Sequence, residues 1–305
     1  MRTHRTHQTW RLLGAILLAG SILLSACGTT SNTGSGSTTL VIASKNDLDG
    51  RLLAQMYALL LEHQGYKVNL KLALGQTPVL FTAIKSGAID MYPEFTGTAL
   101  TLLGYPSTQN AQLAFSEVKS AYESKYHITW LSPAYNLNDS YAICTSQAVA
   151  QRYHLTSLTD LAPVASQLVV ASPQDGLSAA VQPVEKGYNI QFKQVQQITE
   201  PLSFGAVNNG SAQLNVCYTT DPSILTNNFV VLQDPRHVFP IYNPAPIVRD
   251  SVLQGNPKIA TTLNALEPHL TTDVIVQLIK QVGVDHQPIE QVAKSFLQQQ
   301  GLLPK

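Results

Sequence analysis

The chain has 305 residues, of which 44% are hydrophobic and 12% charged, with 19 basic and 19 acidic side chains. So sparse and balanced a charge excludes a nucleic-acid binder, which needs a basic face. The length suffices for one large core or two smaller ones, so two lobes are as well supported as one domain.

In residues 1–27, Arg2, Arg5 and Arg11 precede an uncharged apolar run over 12–24 that ends in Leu-Ser-Ala-Cys27. A run this short cannot cross a hydrocarbon core of about 30 Å, which takes roughly 20 helical residues. It is read as a secretion signal. Small residues before a cysteine resemble the bacterial lipobox, which implies cleavage before Cys27 and a lipid on its sulfur; an ordinary signal with an incidental cysteine is the alternative. The expected location is extracytoplasmic, lipid-anchored at the cell membrane. Residues 28–38 hold no apolar side chain of any size and form a flexible tether. Without the signal, 16 basic residues remain against 19 acidic ones, a net charge of −3.

A short apolar run at 40–44 predicts a buried strand, and apolar residues at helical spacing predict a helix over 48–63, with Asp47 or Asn46 able to cap it and Gly65 able to end it. Alternation over 68–74 predicts a strand with one wet face. A short helix over 79–84 ends at Gly87, and a strand follows at 88–92. Strand and helix in turn point to a largely parallel sheet with crossover helices. A helix over 109–126 and strands at 128–131, 141–144, 168–171 and 214–217 come next, and three helical patterns, 257–270, 272–282 and 289–302, close the chain.

Enzyme signatures are missing: there is no Gly-x-Ser-x-Gly elbow, no His-Glu-x-x-His and no phosphate loop. Ser116-Glu-Val-Lys119 matches Ser-x-x-Lys, but it lies on a charged amphipathic helix without companion motifs and is better explained as a solvated face. No metal or other cofactor is called for. Outside the cytoplasm Cys144 and Cys217 are free to pair, and two buried thiols are equally compatible with the sequence. Tyrosine is abundant, 12 against 8 phenylalanines, and several sit at strand ends, which rim clefts in α/β folds.

Five stretches carry a family resemblance: Ser44-Lys-Asn46, "MYPEFTGT" from Met91, "NDSYA" from Asn138, Tyr218-Thr-Thr-Asp221, and "FPIYNPAPIVR" from Phe239. Through them the whole mature chain resembles the glycine betaine/choline-binding proteins of bacterial osmoprotectant ABC importers. The resemblance implies an α/β, two-lobed periplasmic-binding-protein fold of type II, the Venus-flytrap kind. Lobe 1 is then 39–137 with 229–305, and lobe 2 is 138–228. It implies a monomer that is no enzyme, captures choline and/or glycine betaine, and hands it to an ABC permease. Carried over motif by motif, an aromatic box comprises Phe95, Tyr141, Tyr218 and Tyr242, a main-chain carbonyl at Asp139 faces the methyl groups, and Thr98 contacts the ligand. Lys45, Asn46, Tyr92 and Thr219 complete the expected contacts.

The chemistry of such a box stands without the family. A quaternary ammonium has no N–H and cannot lose its charge, so hydrogen bonds do not compensate its desolvation. Aromatic faces do, at roughly 0.5–2 kcal/mol each; four of them with methyl burial approach the about −8 kcal/mol of micromolar binding. Three positions depart from the family pattern. Phe95 stands where the family has Tyr, Gly50 where it often has Gln, and Pro173 where many members carry an Arg. The carboxylate clamp is thus incomplete, which favours choline or another tail-neutral amine over glycine betaine. Lys45 is either the remaining carboxylate partner or a surface lysine at a strand end. Other readings of the chain are a binder of another small solute such as an amino acid, which needs an Arg or Asp facing the cleft, and an enzyme on the same two-lobed scaffold.

Overall fold

The computed structural model describes residues 39–305. The signal, the lipobox with Cys27 and the 28–38 tether lie outside the described residues. Ten strands form two five-stranded sheets: β1 Leu40–Ala43, β2 Val68–Lys71, β3 Met91–Phe95, β4 Ile128–Trp130, β5 Tyr141–Ser146, β6 Val169–Ser172, β7 Gln194–Gln197, β8 Leu214–Tyr218, β9 Phe229–Val231 and β10 Pro244–Arg249. Their orders, β2-β1-β3-β10-β4 and β7-β6-β8-β5-β9, are the same arrangement twice. Each sheet has three parallel strands from one βαβαβ run, joined by an antiparallel strand from beyond a crossing: β10 pairs antiparallel with β3 and β4, and β5 with β8 and β9.

The helices follow the local signals. Helix α1, Leu48–His63, starts where the Asp47 carboxylate accepts the Gly50 amide at 2.7 Å. Helix α2, Thr77–Ser86, ends at Gly87 with φ 79°, a left-handed cap that glycine takes without a Cβ clash. Helix α3, Thr96–Leu103, springs directly from β3, and α4, Ala111–Tyr126, is capped by Asn110. The first sheet packs on one face against α1 and the C-terminal helices Thr272–Gly283 and Ile289–Gln299, and on the other against α2 and α4. The second sheet has its own two apolar clusters.

Several boundaries move from their expected places. The strand expected at 88–92 lies at Met91–Phe95, because it is buried on both faces and its ends are set by the ladder to β10, not by alternation. The strand expected to reach residue 74 stops at Lys71; Ala73 turns with φ 55°, and its amide is taken by the Ser44 hydroxyl. The helix expected over 257–270 is split into Lys258–Asn264 and a 3-10 turn at Glu267–His269. Strand β9 joins the second sheet beside β5, so the chain crosses back after Val231, beyond the expected return at 229.

Strand β10 has no counterpart in the sequence reading. Pro244 and Pro246 sit in mid-sheet, where proline is ordinarily excluded for want of an N–H. The register explains the exception: Pro244 faces Phe95 and Pro246 faces Pro93 in pairs that need no N–H from either residue toward β3. On the other side their carbonyls accept the Ala134 and Leu131 amides, both 2.9 Å away.

Candidate ligand-binding cleft

The carboxyl ends of the parallel strands β1, β3 and β8 and the amino ends of the antiparallel strands β5 and β10 all deliver residues to one cavity of about 960 Å³ between the sheets. Ligands of open α/β sheets bind at this edge of the strands. Lys45 enters from the loop after β1, Phe95 ends β3, Tyr141 opens β5, Tyr218 ends β8, and Tyr242 precedes β10; all five line the cavity, as do Thr98 and Asp139.

The tyrosines are held in place by the backbone. Tyr141 and Tyr218 are register partners across β5 and β8; their ring centroids are 4.7 Å apart and their hydroxyls 3.1 Å apart. Tyr242 meets Tyr141 edge to face at 6.4 Å. Its amide is bound by the Asn138 side chain at 2.8 Å, and its carbonyl accepts the Asp139 amide at 3.2 Å. The Ser140 hydroxyl donates to the Pro240 carbonyl at 2.8 Å. The two segments that pass between the sheets are thereby laced together beside the cavity. Gly97 is required behind Tyr242: a Cβ there would lie 2.7 Å from the Ile241 carbonyl and the Tyr242 ring.

Charge within the cavity is mostly negative. Lys45 is the one basic side chain among the described residues lining it, against Asp47, Asp49, Asp139 and Asp221. Lys45 is a buried ion-pair partner and not a surface lysine: its ammonium lies 3.1 Å from Glu94 Oε1 and 4.2 Å from the Phe95 ring centroid. Burial works to lower its pKa, but Glu94, Asp47 and Asp139 outweigh it, so the pKa is raised and the charge is kept. Glu94 is wholly buried and also accepts the Tyr92 hydroxyl at 3.0 Å and the Phe95 amide at 2.8 Å. Asp49 and Asp139 both line the cavity wall, and both carboxyls are pushed up, first by burial. The Thr220 hydroxyl donates to Asp139.

Three expected contacts lie elsewhere. Tyr92 points into the core between the first sheet and its outer helices, because alternation along β3 turns it away from the face of Phe95. Thr219 is a structural link, its hydroxyl donating to the Asn138 carbonyl at 2.6 Å. Asn46 is exposed and does not line the cavity. The sequence reading did not include Asp49, Thr220 or Asp221; for the last two the signal was present in the Tyr-Thr-Thr-Asp stretch. Cys144 and Cys217 form a disulfide, with Cα atoms 6.0 Å apart, between neighbouring strands β5 and β8.

Two similar sheets, two crossing segments and a cavity between them define a two-lobed solute-binding protein of the type II periplasmic class. The chain belongs to the family described as the substrate-binding domain of ABC-type glycine betaine transport systems, which matches residues 38–299. It is 30% identical over 275 residues to the glycine betaine-binding protein YehZ of Escherichia coli, covering 85% of this chain and 90% of the relative. It is 28% identical over 297 residues to the carnitine transport binding protein OpuCC of Listeria monocytogenes, covering 94% and 95%. The crystal structure of a glycine betaine/carnitine/choline ABC transporter protein shares the fold, with a TM-score of 0.81 at 22% identity over 87% of this chain and 99% of that one. These relatives are binding components of importers, which work outside the cytoplasm, and not enzymes.

Proposed function

We propose that the cleft captures a quaternary ammonium solute, with its methylated head against the rings of Phe95, Tyr141, Tyr218 and Tyr242, and that the two lobes close on it and deliver it to an ABC permease. The observation that carries this reading is the convergence of those four rings, from both sheets, on one cavity whose charged lining is predominantly acidic. Aromatic faces and carboxylates together suit a cation that cannot donate a hydrogen bond. The names of the relatives, glycine betaine and carnitine binders, support the same ligand class.

Within that class the reading favours a tail-neutral amine such as choline. A ligand carboxylate needs a cation, and Lys45 is already paired with Glu94. Thr98 and the Asp139 carbonyl are the further contacts of this reading. The lobes are 39–137 with the chain that follows the return crossing beyond Val231, and 138–231, acting as a monomer. The Leu-Ser-Ala-Cys27 sequence supports anchoring by a lipid on Cys27.

Calorimetric titration of the purified mature chain with choline, glycine betaine, carnitine and the proteinogenic amino acids tests the proposal. Binding of a quaternary ammonium that Tyr242→Ala weakens is expected. Affinity for amino acids alone sinks it.

A further inference from the structure

Resting on the quaternary-ammonium reading, we propose that Glu94 is a specificity-determining residue. By holding the Lys45 ammonium against the Phe95 ring, it leaves the cleft without a free cation and turns it away from ligands with a carboxylate tail, toward ligands with a neutral one.

Glu94 is placed to hold that ammonium and nothing else. It is the fourth residue of β3, wholly buried, and its carboxylate is fixed from three sides. Oε2 accepts the Tyr92 hydroxyl at 3.0 Å, from the same face of the strand. Oε1 accepts the Phe95 amide at 2.8 Å and lies 3.1 Å from Lys45 Nζ. Tyr92 is itself enclosed in the core behind the first sheet, so the carboxylate has no freedom to follow the lysine toward a ligand. Lys45 is equally confined: its side chain is buried, and its ammonium sits 4.2 Å from the Phe95 ring centroid, a favourable approach to an aromatic face. An ammonium that moved to a ligand carboxylate would give up the ion pair and leave Glu94 buried without a counter-charge, which is strongly unfavourable.

The charge balance of the lining makes a filter of this pair. Lys45 is the one basic side chain among the described residues lining the cavity, and Glu94 cancels it. What remains is Asp47, Asp49, Asp139 and Asp221. A carboxylate tail meets that excess of negative charge with only neutral donors, such as Thr98, to offset its desolvation. A hydroxyl tail needs no more than neutral partners. The cleft thus discriminates by what it denies the wrong ligand.

Calorimetric titration of the mature chain with choline and with glycine betaine reads the ratio of the two affinities. The wild type is expected to bind choline more tightly. Glu94→Gln keeps the shape and leaves the ammonium uncompensated, and is expected to shift the ratio toward glycine betaine by about tenfold or more. Choline weakens there while glycine betaine tightens, an opposed change that a general loosening of the fold does not produce. Lys45→Met combined with Glu94→Gln removes both charges, and it decides the matter where the single variant does not fold. Its ratio is expected to stay within about threefold of the wild-type value. Selective loss of glycine betaine binding in the double variant overturns the inference, because Lys45 then serves the ligand carboxylate directly. A ratio that Glu94→Gln leaves unchanged, or a wild type that prefers glycine betaine, overturns it as well. All three results leave the quaternary-ammonium reading intact. Failure of the wild type to bind any quaternary ammonium overturns that reading instead, and this inference with it.

Discussion

Phe95 illustrates how one position serves two cations. Its ring already faces the Lys45 ammonium at 4.2 Å, and Lys45 is fixed by Glu94, so the protein stacks its own cation on the wall of a cleft proposed to hold another. The ion pair is buried on both sides, and breaking it leaves an uncompensated ammonium next to the cavity. Glu94→Gln is therefore expected to destabilise the fold by about 3–5 kcal/mol, measured as a lower midpoint in denaturant. Tyr141→Ala removes one aromatic face and is expected to weaken quaternary-ammonium affinity about 2- to 30-fold by calorimetry. Asp49 works against stability. A carboxyl whose pKa is raised on folding binds more protons in the native than in the unfolded state, so the stability it contributes falls as pH rises above the ordinary carboxylate range. Asp49→Asn is accordingly expected to raise the thermal midpoint of the ligand-free protein at neutral pH and to have little effect at acid pH. Equal shifts at both would count against a proton on this group.

At the scale of elements, the turn from β3 into α3 is a tight constraint on the site. The α3 backbone approaches the Ile241 carbonyl and the Tyr242 ring so closely that Gly97 has no room for a side chain. Gly97→Ala is expected to push the Tyr242 ring from its place and weaken ligand binding at least as much as loss of one aromatic face, with the secondary structure by circular dichroism unchanged. The other constraint is the disulfide from β5 to β8, which spans 73 residues of sequence within the second lobe's core. Paired serine substitution at Cys144 and Cys217 is expected to cost about 2–4 kcal/mol of stability. Because Tyr141 and Tyr218 are also held by the β5–β8 ladder, ligand affinity is expected to survive that change. The helical and alternating patterns were legible in the sequence because they repeat every few residues; Asp47 and Gly87 mark helix ends by the same local chemistry, whereas the Asn110 cap was found only in the structure. Strand β10 was not, since two prolines contradict a strand in isolation and only the facing register with Pro93 and Phe95 makes them tolerable.

For the whole molecule, the repeated topology sets the site. Because the two sheets share one strand order, their ligand-facing edges can meet across the two crossing segments, and rings from distant parts of the sequence converge. Those segments are tied to each other by Asn138, Asp139 and Ser140 on one side and Pro240 and Tyr242 on the other. Motion about such a laced pair takes the form of hinged closure. Small-angle scattering is expected to show a smaller radius of gyration with saturating ligand than without; an unchanged radius would argue for a cleft that binds without closing.

The sequence by itself determined most elements of the first lobe, the closing helices, the polar and apolar faces, and the motifs that name the aromatic side chains, since each is written in residues a few positions apart. Only the tertiary structure decided what those side chains meet. Lys45 is drawn to Glu94, Asp139 to Thr220, Cys144 to Cys217, and Tyr92 into the core although it shares a motif with Phe95. The physical reason is burial: the energy of a charge, a thiol or a ring depends on what replaces water around it, and those neighbours arrive from segments tens of residues away.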